Sequence, residues 1–128
     1  MPISYTYYPD AKVVLEAPSG IVTFDEVAGY FEDVWNDEEI PMGIVDVIPF
    51  QDVENFEGES WRVKEIMNKP NKKYIAVIFV ANTPFHYGMA RLFHSIIENT
   101  DTAVARIVST NEEAFSLAEE LLNGLKAD

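Results

Sequence analysis

Apolar positions along this chain recur with two periods, and each change of period marks a predicted element. Residues 3–8, ISYTYY, set Ile3, Tyr5 and Tyr7 against Ser4, Thr6 and Tyr8, the alternation of a half-buried strand. PDA at 9–11 is turn chemistry and KVVLEA at 12–17 reads as a second strand, so these two are expected to form an antiparallel hairpin. Pro18, Ser19 and Gly20 then break the pattern. TFDE at 23–26 is a capping box, in which Thr23 caps the Glu26 amide and Glu26 reaches back to the amide of Thr23. Phe24, Val27, Tyr30, Phe31, Val34 and Trp35 follow at spacings of three and four, predicting a helix that stops near Asn36. Asp25 and Glu26 in its first turn suit the helix dipole.

GIVDVI at 43–48 reads as a third strand ended by Pro49. FQDVENFEGES at 50–60 reads as a long loop, and a short helix is expected around 61–68, stopped before Pro70. KYIAVIFVA at 73–81 is apolar almost throughout, which predicts a central parallel strand covered on both faces. Pro84 suits the first turn of a helix, and Phe85, Met89, Leu92, Phe93, Ile96 and Ile97 form its stripe. TAVARIV at 102–108 is a fifth strand. TNEE at 110–113 is a second capping box, opening a helix that buries Ala114, Leu117, Ala118 and Leu121 and takes Gly124 as its C-terminal cap.

Strand–helix alternation over residues 1–128 predicts a single α/β domain. Its five-stranded sheet is mostly parallel, with the first strand antiparallel, and carries four helices. Glu16, Asp46 and Arg106 fall at inner positions of the second, third and fifth strands. Charges there suit a sheet with helices mainly on one face and the other partly open. An Arg106–carboxylate pair is the expected arrangement of the three.

Charge narrows the partners. Of 128 residues, 22 are acidic and 9 basic, a net charge of −13. That opposes nucleic acid and anionic lipid heads. No apolar run approaches the ~20 residues of a membrane span, so no membrane insertion is expected. The first residues lack the pattern of a signal peptide, which makes a cytoplasmic location the expectation. Without cysteine, thiol chemistry and disulfides are excluded.

NTPFHYGMARLFHSI at 82–96 holds both histidines. His86 and His94 lie ~12 Å apart along a helix axis, too far for a common ion, so no metal and no cofactor is expected. No GxSxG elbow or defensible Ser-His-Asp order accompanies them. His86 reads either as a helix-start residue with a local hydrogen bond or as the lining of a pocket. Gly88 reads as a point of close backbone approach to the sheet or a loop.

SGIVTFDEVAGYFEDV at 19–34, PMGIVDV at 41–47, YGMARLF at 87–93 and TNEEAFSLAEELL at 110–122 together resemble STAS domains. More narrowly, they resemble the bacterial group like the sporulation anti-sigma-factor antagonist, over nearly the whole chain. The resemblance implies a sequential βα superhelix and a non-enzymatic interaction module. It also implies a fold similar to CRAL-TRIO lipid-binding domains, hence an apolar ligand pocket. Switched members carry a serine in an Asp-Ser context at the start of the second helix. This chain departs there: Ser60 is the nearest serine, Glu57 and Glu59 oppose a phosphate, and no functional phosphorylation is expected.

Parallel α/β sheets bind at the carboxyl ends of their strands. The expected ligand or partner site is therefore Phe50, Phe56 and Trp61 after the third strand with Asn82, Phe85, His86, Tyr87 and Arg91 after the fourth. Phe56, Trp61, Phe85 and Tyr87 are expected to converge there. The reading is a regulatory or binding module for a protein partner or a small hydrophobic ligand, with a homodimer as one way to cover the cluster. The alternatives are a structural subunit without ligand and an enzyme using His86 with Asp52 or Arg91.

Overall fold

The computed structural model describes residues 3–98 and 103–127. Its elements run β1 (Ser4–Tyr8), β2 (Val13–Ala17), β3 (Gly20–Thr23), α1 (Phe24–Asn36), β4 (Ile44–Pro49), β5 (Val53–Glu57), α2 (Trp61–Met67), β6 (Tyr74–Val80), α3 (Pro84–Glu98), β7 (Val104–Val108) and α4 (Asn111–Ala127). Thr102, the expected first residue of the last strand, lies outside the described residues.

The main sheet has the order β1-β2-β4-β6-β7. β1 is antiparallel to β2, and every other neighbouring pair is parallel. This is the sequential, mostly parallel sheet expected, with the apolar strand β6 inside it. Helices α1, α2 and α3 build the larger core on one face. Helix α4 covers the other, laying Ala114 and Ala118 against Val13, Val45, Val47, Ala76 and Ile78. Helices therefore lie mainly on one face.

The charges at inner strand positions do not mark an open face. Asp46 and Glu16 point into the three-helix face and are buried there. Arg106 meets neither of them: its guanidinium donates to the Ala105 carbonyl at 2.8 Å on the outermost strand.

The expected loop at 50–60 contains a strand, β5, paired in parallel with β3 as a small second sheet. Its register shifts between Gly20 and Ile21, so Gly20 faces Val53 while Ile21 faces Asn55. The extra residue puts the inward side chains, Val53 and Phe56, three apart instead of two and hides the strand's alternation. Gly20, at φ 68°, supplies the left-handed conformation at this shift, and Gly58, at φ 94°, turns β5 into α2.

Thr23 and Glu26 form the capping box that TFDE predicts, with the Glu26 amide donating to Thr23 Oγ1 at 3.0 Å and the Thr23 amide donating to Glu26 Oε1 at 3.1 Å. At its other end α1 has no glycine. Lys73 Nζ donates instead to the carbonyls of Val34 and Asp37, both at 2.7 Å. Gly124 is not a cap, because α4 runs on to Ala127.

Candidate functional site

Helix α3 opens at the carboxyl end of β6, and Thr83 holds its first turn. The His86 amide donates to Thr83 Oγ1 at 3.1 Å, and the Tyr87 amide donates to the Thr83 carbonyl at 2.8 Å. The Thr83 hydroxyl also lies 2.9 Å from His86 Nδ1, and His86 Nε2 lies 3.0 Å from the Val53 carbonyl. A carbonyl only accepts, so Nε2 carries a proton and Nδ1 takes one from Thr83. Both ring nitrogens are thereby engaged, tying α3 to β5. Among the described residues neither ring nitrogen bonds to Asp52 or Arg91.

Phe50 and Phe56 belong to an aromatic layer under this helix. Phe50 is fully buried and Phe56 half-buried. Phe56 meets Phe93 at 4.5 Å between ring centroids and Phe50 at 5.3 Å, while Phe24 meets Phe93 at 5.2 Å and Phe50 meets Phe79 at 5.7 Å. The rings of this layer pack against one another.

Trp61, Phe85 and Tyr87 are instead 57%, 58% and 49% exposed. Among the described residues, no ring contact joins any of them to Phe56. Phe85 and Tyr87 are two residues apart on a helix, hence roughly 200° apart around its axis. The expected convergence of the four does not occur, because a two-residue step separates faces that a shared loop label had merged. Leu92, 54% exposed, is the residue this reading missed. It lies seven after Phe85 and shares its side of α3.

The remaining expected residues sit apart. Asn82 lines a groove with Gln51, Thr110 and Asn111 beyond the carboxyl ends of the strands. Tyr87 and Arg91 line another, between α3 and β7. Ser60 occupies the N-cap position of α2, but its hydroxyl makes no capping bond. Gly88 is exposed, and a Cβ added there would meet nothing within 4 Å, so it is not a point of close approach.

The most perturbed titratable groups lie elsewhere, in the core. Glu16 and Asp46 are 2% and 0% exposed, and their carboxyl groups lie within hydrogen-bonding reach of each other. Tyr30 donates to Asp46 Oδ1 at 2.6 Å, and Tyr74 donates to the Tyr30 hydroxyl at 2.9 Å. Burial pushes both carboxyl groups up, Glu16 well above the usual range and Asp46 to about 6. The same burial holds the Tyr30 and Tyr74 hydroxyls protonated. All four of these side chains are buried, so the cluster is built to hold a proton away from solvent. Tyr30 and Tyr74 had been absorbed into apolar stripes; the signal that could have found them is an aspartate in mid-strand needing donors.

No family model matches this chain, and no curated protein matches it. A solved structure does: an uncharacterised protein of the DUF3478 family with a SpoIIAA-like fold, from Shewanella loihica PV-4. It superposes with a TM-score of 0.60 over 91% of each chain, at 13% identity. The fold is SpoIIAA-like. At that identity the likeness concerns the path of the chain and not its residues. A SpoIIAA-like fold is the STAS-like architecture that the four quoted stretches resemble, so the sheet order and the resemblance agree. Among the described residues no helix is long and apolar enough to cross a membrane.

Proposed function

We propose that this chain is a non-enzymatic, STAS-like binding or regulatory module that engages a protein partner through α2 and α3. One observation carries the reading: Trp61, Phe85 and Leu92 stand more than half exposed on adjoining helices, while the aromatic layer beneath them is closed. Large apolar side chains gathered on one side of a soluble protein mark interaction surfaces, and aromatic residues are enriched among those that dominate binding. The closed layer favours a partner over a small apolar ligand. Asp52, Glu54, Glu57 and Glu59 are all exposed just ahead of Trp61, and with the net charge of −13 they favour a partner with a basic rim.

A photo-cross-linking residue placed at position 61 in the native cell tests this. A discrete adduct to a second protein is expected, lost on Phe85→Ser and absent when the cross-linker replaces Ile21, a residue 56% exposed on the small second sheet. Equal labelling from both positions removes the partner surface. An adduct with the mass of two copies of this chain replaces the heterologous partner with self-assembly.

A further inference from the structure

Arg91 and Arg106 line one groove between α3 and the outermost strand β7, and among the described residues neither has a carboxylate partner. In a chain with 22 acidic residues against 9 basic ones, only one of the three arginines, Arg62, has a described carboxylate partner. Arg62 reaches Asp25 at 3.2 Å and Glu32 at 3.4 Å, and Lys69 reaches Glu32 at 3.9 Å. The one carboxylate described in the groove, Glu98, is already engaged by His94 at 3.4 Å. Arg106 gives one N–H to the Ala105 carbonyl, and among the described residues the rest of its fork has no partner. Tyr87 and Ser95 add hydroxyls to the same walls, which enclose about 740 Å³.

Two guanidinium groups lining one groove raise the local positive potential and favour an anion there. We propose that the groove binds a small soluble phosphate monoester. Arginine's planar fork matches phosphate oxygens in a bidentate way, and two arginines suit a dianion better than a single carboxylate. The charge of the whole chain sets the size of the ligand. Long-range repulsion grows with the number of negative charges a partner carries, so a compact dianion is admitted where a polyanion or an anionic bilayer is repelled. The site lies on the side of α3 that bears Tyr87, away from Phe85, and is independent of the partner surface.

Phenyl phosphate and inorganic phosphate, titrated at constant ionic strength into the 15N-labelled chain, provide the test. Saturable shifts are expected on α3 and β7 around Arg91, Ser95 and Ile107. Affinity should fall about tenfold in Arg91→Gln or Arg106→Gln, the loss of one charge-assisted contact. Arg62→Gln should leave it unchanged. Shifts scattered over the surface, failure to saturate, or full binding by the folded double variant overturn the proposal. Should the double glutamine variant not fold, Arg91→Lys with Arg106→Lys keeps the charge and loses the fork; undiminished affinity there overturns it equally. Co-sedimentation with phosphatidic acid vesicles, without shifts from the soluble esters, moves the phosphate to a membrane and refutes a soluble ligand.

Discussion

Glu16 on β2 and Asp46 on β4 hold their carboxyl groups together in the core, and among the described residues no cation faces them. The strand register explains the contact: Val14 pairs with Asp46, and Glu16 follows two residues on, on the same face. Two ionised carboxylates there would repel in a low dielectric without solvent. Glu16 Oε2 and Asp46 Oδ2 receive no donor from any other residue. A proton held between the two groups supplies that donor, and the Tyr30 hydroxyl serves Asp46 Oδ1.

This pair makes stability depend on pH. Burial raises both carboxyl groups, Asp46 from 3.8 to about 6, so the folded chain keeps a proton that the unfolded chain releases. The stability this contributes is fully present below the unfolded value and is lost as pH rises through the folded one. The melting temperature is expected to fall as pH rises from about 4 through about 6 and beyond, Glu16 extending the fall above the Asp46 value. Glu16→Gln keeps the shape and a donor but cannot ionise, and should gain about 1–3 kcal/mol at the higher pH. Comparing the two proteins cancels the titration of surface carboxylates. Parallel pH profiles would assign the slope to other groups.

Tyr30→Phe removes the 2.6 Å donor to Asp46 and leaves the Tyr74 hydroxyl without its acceptor. Urea unfolding should show a loss of about 1–3 kcal/mol. The loss should be greater above pH 6 than below it, because an ionised Asp46 needs that donor more. A loss independent of pH would mean that the hydroxyl contributes packing alone.

The two capping-box sequences and the two hydrophobic periods were enough to locate the main sheet and all four helices. The long helices could be read because each carries an apolar stripe, although in α3 two of its members, Phe85 and Leu92, stand exposed. β5 could not, because its bulge spaces Val53 and Phe56 like helix positions. The candidate site was legible only as a region. Phe50 and Phe56 read as part of a binding loop because their segment shows no strand alternation, but Phe56 within β5 and Phe50 just before it both pack against Phe93. The Arg91–Arg106 groove joins residues of one helix and one strand through tertiary packing, and local pattern holds no trace of that.

Lys73→Met tests the cap at the end of α1. The ammonium satisfies the Val34 and Asp37 carbonyls at once, and methionine keeps most of its stem while removing the donors. A loss of about 1–3 kcal/mol is expected, with amides in the last turn of α1 exchanging faster than those at its start. Exchange that rises evenly along the helix would place the effect in packing, not in the cap.

His86→Ala removes the link between the first turn of α3 and the Val53 carbonyl. About 1–2 kcal/mol should be lost. Hydrogen exchange should rise selectively in β3 and β5, since that two-stranded sheet is joined to α3 at this point, while β6 stays protected. An unchanged exchange pattern in β5 would show that the imidazole does not hold the small sheet in place.

Gly88 separates two readings of the YGMARLF stretch. A glycine kept for close approach would make Gly88→Ala destabilising, because its new Cβ would collide with a neighbour. Here the residue is exposed within α3, its φ lies outside the left-handed range, and a Cβ would meet nothing within 4 Å. Alanine then only narrows the freedom of the unfolded chain and improves helix propensity, so the variant should gain about 0.5–1 kcal/mol. Urea midpoints at equal m-values measure this directly. A lower midpoint for Gly88→Ala would reinstate a close neighbour at that turn. A higher one leaves position 88 as small open space between Phe85 and Leu92, where a bulkier side chain such as Trp can be used to block the partner without disturbing the fold.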